Sequence, residues 1–181
     1  MLSKTTCASL AHLSLFIALG CGDGGSPTTP GPGDSVLIAS ATLFAIDSSG
    51  GGLPTPRPQG AACDPQIWTY TVSITSSELL WDRCDVSGSG TAAEDYTHNM
   101  GSRILSAAEL DTAKSAARMV HVSNRTSCGA DKPTLHMVVN APSGAIIYGD
   151  DFYACRKQDN AYVEGASLDS LQAVLQSLVL P

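Results

Sequence analysis

Apolar and polar positions fall along this chain in blocks that predict strands first and a helix late in each half. Val36 to Ile46 (VLIASATLFAI) is an almost unbroken apolar run and reads as a strand buried on both faces. Ser48 to Pro65 is rich in Gly and Pro and reads as loop. From Ile67 to Thr75 the pattern alternates, with Trp68, Tyr70, Val72 and Ile74 on one face of a strand. Ser76-Ser77 is a turn, and Glu78 to Val86 returns antiparallel. Ser87 to Ser102 is polar and reads as a second long loop.

Periodicity then changes to that of a helix. Ser106 and Glu109 have the Ser-x-x-Glu spacing of a capping box, and Leu110, Ala113, Ala117 and Val120 form one apolar stripe. Thr134 to Asn140 and Ala145 to Tyr153 are strand-like, joined by Ala141-Pro142-Ser143-Gly144, a turn of type I composition. Ser167 is placed to cap a last helix with the stripe Leu168, Leu171, Leu175 and Leu178, and Asp169 falls in its first turn. The order β-β-β-α-β-β-α predicts an α+β domain: an antiparallel sheet of about five strands with two helices on one face.

The first residues carry an address rather than a fold. Lys4 precedes an apolar run from Ala8 to Leu19, and no acidic residue occurs before Asp23. That is the layout of an export signal whose core is shorter than the roughly 20 residues of a spanning helix. Ala18-Leu19-Gly20-Cys21 resembles the lipobox of bacterial lipoproteins. The resemblance implies a diacylglycerol on the Cys21 thiol, cleavage just before that residue, and residence in the cell envelope, on an outer membrane facing the periplasm or the cell surface. It covers the leader alone, and the mature domain resembles no family. Gly22 to Asp34 (GDGGSPTTPGPGD) has no apolar side chain except its prolines and reads as a flexible tether. The expected division is leader 1–20, lipidated Cys21 and tether 21–34, and one domain 35–181.

Charge narrows the partners. Loss of Lys4 with the leader takes the formal charge from −7 to −8. An acidic chain without a basic stripe is poorly suited to nucleic acid or to anionic headgroups. The expected partners are the membrane, through the lipid, and an envelope or secreted protein. Beyond Cys21 the cysteines are Cys63, Cys84, Cys128 and Cys155, an even number that implies two disulfides in an oxidising compartment. Folding the second hairpin at its turn sets Cys128 against Cys155, which leaves Cys63 for Cys84.

Candidate chemistry is sparse. His98, His121 and His136 show no metal-ligand spacing. His98 is expected in a loop near Glu94 and Asp95, His121 at a helix end, and His136 on the strand face opposite Leu135 and Met137. Asp150 and Asp151, with Asp131 across the hairpin base, are three carboxylates that calcium would accept, although a solvated strand end explains them more simply. No nucleophile motif or cofactor motif is present, so no cofactor and no enzymatic activity are expected. Three readings remain: a non-enzymatic binding or structural module; an inhibitor of a secreted enzyme acting through loop 53–63, with Pro54, Pro56, Arg57 and Pro58 as its stiff element; and an envelope hydrolase.

Overall fold

A computed structural model describes residues 30–50, 61–88, 95–125, 128–129, 132–156, 159 and 161–179. It is an α+β domain. Strands β1 (Leu43–Ser49), β2 (Ile67–Ser73), β3 (Glu78–Ser87) and β4 (Asp95–Ile104) precede helix α1 (Ala107–Arg118). Strands β5 (Leu135–Ala141) and β6 (Gly144–Asp150) follow, then a 3-10 turn at Asp151–Arg156, β7 (Ala161–Val163) and helix α2 (Gly165–Val179). Together they form one seven-stranded sheet in the order β4-β3-β2-β1-β5-β6-β7. It is mixed rather than wholly antiparallel, because β7 runs parallel to β6.

The seven strands exceed the five read from the pattern. Asp95–Ile104, inside and just beyond the span taken as loop, is strand β4 and pairs residue for residue with β3. Its polar sequence hides it. Many of its side chains are exposed, so burial does not impose an apolar alternation, and pairing to β3 forms the strand. The three-residue β7 is too short to leave a period.

Three boundaries also move. The apolar run at 36–46 is only partly strand. Val36 N donates to Val120 O at 3.0 Å, Ala41 N closes a turn on Ile38 O, and β1 starts at Leu43. Val36 and Leu37 are apolar because they fill the core, which an irregular segment does as well as a strand. Nor is β1 buried on both faces: Phe44, Ile46 and Ser48 are buried, while Leu43, Ala45 and Asp47 are half-exposed. The predicted strand to Tyr153 stops at Asp150, and Tyr153 lies in the 3-10 turn.

Helix α1 starts at the predicted cap. Ser106 Oγ accepts from Glu109 N, and the Glu109 carboxylate accepts from Ser106 N at 2.8 Å. Helix α2 starts two residues before the expected cap. Glu164, not Ser167, offers the carbonyl that receives Ser167 N and Leu168 N. Asp169 therefore lies beyond the first turn and faces Lys132 at 3.7 Å.

Both helices cover one face of the sheet. Phe44, Ile46, Tyr70, Val72, Leu79, Met137, Val139 and Tyr148 point toward Ala113 and Ala117 of α1 and Leu168, Leu171 and Leu175 of α2, in one buried cluster. Each of the large side chains stabilises by roughly 1.5–3 kcal/mol through burial. Alanines on α1 let that helix approach the sheet closely. Arg103, near the end of β4, donates to the Glu109 carboxylate and to Leu178 O, tying the sheet edge to both helices.

Two disulfides close the irregular segments. Cys63 joins Cys84 of β3 with Cα atoms 5.6 Å apart, and Cys128 joins Cys155 of the 3-10 turn at 5.1 Å. These are the pairs expected from the sequence. Each closes a loop worth about 3 kcal/mol in the chain-entropy account. Among the described residues no helix is long and apolar enough to cross a membrane.

Candidate binding face

With the helices on one side, the other side of the sheet is left bare, and its residues follow from the pairing register. One row runs straight across the strands: Met100, Asp82, Thr69, Asp47, His136, Gly149 and Tyr162. The next row is Ser102, Leu80, Thr71, Ala45, Val138 and Ile147. A third carries Ile104 and Glu78 beside Ser73 and Leu43.

This face collects exposed apolar surface. Ile67, Leu80, Val86, Met100, Ile104 and Ile147 are exposed and all share its register, and Met119 at the end of α1 is the exception among the described residues. Met100 is 64% exposed, Ile104 67% and Ile147 53%. Met100 and Ile104 are diagonal neighbours of Leu80 across β3–β4 and form one apolar patch with it, whereas Ile147 lies on β6 with three strands between it and β3. A shallow groove of about 500 Å³ runs through it, lined by Thr69, Thr71, Leu80, Asp82, Met100 and Ser102 among others.

The polar groups of the face are largely satisfied by one another. His136 Nδ1 lies 3.3 Å from Asp47 Oδ1, and His98 Nε2 lies 2.6 Å from Asp82 Oδ1. The hydrogen bond to Asp47 raises His136 above the ordinary histidine value, burial opposes this, and the Asp47 charge adds to it. Neither Lys nor Arg projects from the face among the described residues. His136 is on the face expected for it. His98 is not in a loop but on β4, and its partner is Asp82 rather than a neighbouring loop acid. His121 follows α1 and pairs with Ser35 in an isolated bridge.

The aspartates proposed as calcium ligands behave otherwise. Asp150 is 1% exposed, and its carboxylate takes Lys132 Nζ at 3.0 Å and Phe152 N at 2.9 Å. Burial works against the Lys132 charge, but the hydrogen bond and charge of Asp150 outweigh it, and the ammonium is held above its ordinary value. Asp151 accepts from Ser123 Oγ at 2.7 Å and from Gly165 N at 3.4 Å, at the start of α2. These carboxylates lock the 3-10 turn and α2 to the sheet. They are not a solvated strand end, and no group of three metal-binding side chains occurs among the described residues. Asp131 lies outside the described residues, as do Cys21 and the loop residues Pro54, Pro56, Arg57 and Pro58.

On the helix side of the β3–β4 hairpin lies a network that the sequence did not suggest. Trp81 Nε1 donates to Asn99 Oδ1 at 2.9 Å, Asn99 Nδ2 donates to Asp85, and Arg83 Nε sits 2.8 Å from the same carboxylate. Trp81 also lies against its cross-strand partner Gly101, where a Cβ would come within 2.6 Å of the indole. The network ties β3 to β4 on the side opposite the bare face.

Comparison of the chain with family models, with curated proteins and with solved structures found no match. Function therefore has to be argued from the face itself. Of the two strands that the pattern missed, β7 is three residues long, and β4 sets apolar Tyr96, Met100 and Ile104 on the bare face with polar His98 and Ser102 between them.

Proposed function

We propose that this chain is an envelope lipoprotein, anchored through Cys21, whose domain is a non-enzymatic binding module that presents the bare face of its sheet to a protein. The observation that supports this is the gathering of Ile67, Leu80, Val86, Met100, Ile104 and Ile147 on the one face the helices leave open. The partner surface is apolar and weakly charged. Among the described residues the face offers no Lys or Arg to hold a phosphate or a carboxylate, and two of its acids, Asp47 and Asp82, are already matched by histidines. An acidic chain of this kind is not drawn to nucleic acid or to anionic lipid.

Photo-crosslinking side chains placed at Leu80 and Ile147, with Gln176 of α2 as a control, test the reading in the native envelope. The expected result is one discrete protein adduct from both face positions and none from Gln176. Labelling without preference for the face would refute it. Mass spectrometry of the mature N-terminus tests the anchor separately: an acylated Cys21 supports it, and a free thiol there removes it.

A further inference from the structure

We infer that β4 is a dimerisation edge, pairing antiparallel with β4 of a second copy of this chain about a twofold axis at Met100. The sheet has two edges, and they are built differently. β7 is three residues long. β4 is ten residues long, and among the described residues no strand pairs with its outer side along Thr97–Ile104. A row of backbone donors and acceptors of that length is a template for another strand. Edges that must stay single are guarded by lysine or an inward-pointing charge, proline, a bulge, shortness or a covering segment; the one cation of β4, Arg103, is held by Glu109 and Leu178 O. β4 has no Lys and no Pro, and its register with β3 runs one to one over all ten residues, so there is no bulge.

The strand is complementary to itself. In a twofold antiparallel pair the side chains opposite each other share a face, so the axis must fall on a residue rather than between two. An axis at Met100 pairs Asn99 with Gly101, His98 with Ser102 and Thr97 with Arg103, and sets the two Met100 side chains together on the bare face. It places an apolar residue that is 64% exposed against its own copy and brings no like charges opposite. An axis at Asn99 would instead pair Asp95 with Arg103, but Arg103 is already held by Glu109 and Leu178 O. The dimer would extend the bare face into one continuous surface across both copies. This inference does not depend on the function proposed above.

Sedimentation of the purified full chain gives the oligomeric state, and charge exchange at Met100 gives the register. The wild type is expected to be dimeric. Met100→Lys and Met100→Glu, each placing like charges opposite, are expected to weaken the dimer by about fivefold or more, and an equimolar mixture of the two is expected to restore it. Far-UV circular dichroism should be unchanged, since the side chain is exposed. Met100→Cys is expected to form an intermolecular disulfide under oxidation, and Ser102→Cys, four residues from its copy in this register, is not. A monomeric wild type would overturn the inference. So would a dimer that ignores both charge substitutions, or one in which Ser102→Cys crosslinks as readily as Met100→Cys.

Discussion

His136 Nδ1 stands 3.3 Å from Asp47 Oδ1, directly across the β1–β5 pair at the centre of the bare face. The hydrogen bond raises the imidazole above its ordinary value of 6.5. A raised folded-state value means that the pair stabilises fully below the unfolded value and that the contribution fades as pH rises through the folded one. Asp47→Asn should therefore lower the urea midpoint near pH 5 and leave it almost unchanged near pH 9. Because both groups are partly exposed, the difference should be below about 1 kcal/mol. A histidine titration by NMR that found His136 at or below the ordinary value would contradict the assignment.

Ser106 and Glu109 close the start of α1. The backbone and hydroxyl donors of Ser106, with Arg103, hold the Glu109 carboxyl down to about 2. A depressed folded-state value is stabilising above the unfolded value, and that contribution is lost as pH falls from about 4.5 to about 2. Ser106→Ala should cost about 1 kcal/mol at neutral pH and should flatten the acid side of the stability profile. Chemical denaturation at neutral pH and at about pH 3 reads both effects.

Gly165 begins α2 against the buried Asp150. A Cβ there would lie 2.5 Å from Asp150 Oδ1, which accepts from Phe152 N, while Oδ2 of the same carboxylate pairs with Lys132. Gly165→Ala normally favours a helix, but here the expected change is a loss of about 1–3 kcal/mol from crowding. Thermal unfolding distinguishes the two, since helix propensity alone would raise the midpoint.

Tyr148 is fully buried, and among the described residues its hydroxyl has no hydrogen-bond partner. Burial pushes its ionisation up to about 12. Tyr148→Phe removes an unmet polar group without changing the ring, so it should be neutral or stabilise by up to about 1 kcal/mol. A loss of more than that in equilibrium unfolding would show a partner that the structure does not contain.

Local rules made much of this molecule legible. The Ser106–Glu109 box, the Leu168, Leu171 and Leu175 stripe and the Pro142-Ser143 hairpin depend on residues close in sequence, and each forms where its pattern lies. Even the disulfide pairs follow from one hairpin. By themselves the residues also determined the acidic character and the absence of familiar catalytic spacing. The tertiary structure alone decided the rest. Strand β4 exists because β3 offers it a backbone partner, not because its own side chains demand burial. Asp150 and Asp151 look like a solvated pair in sequence, but Lys132, Ser123 and the start of α2 converge on them from elsewhere in the chain. The bare face is the clearest case. Its residues come from strands far apart in sequence, and which side of a strand remains open is set by where the helices pack. That is a long-range choice which no local period records.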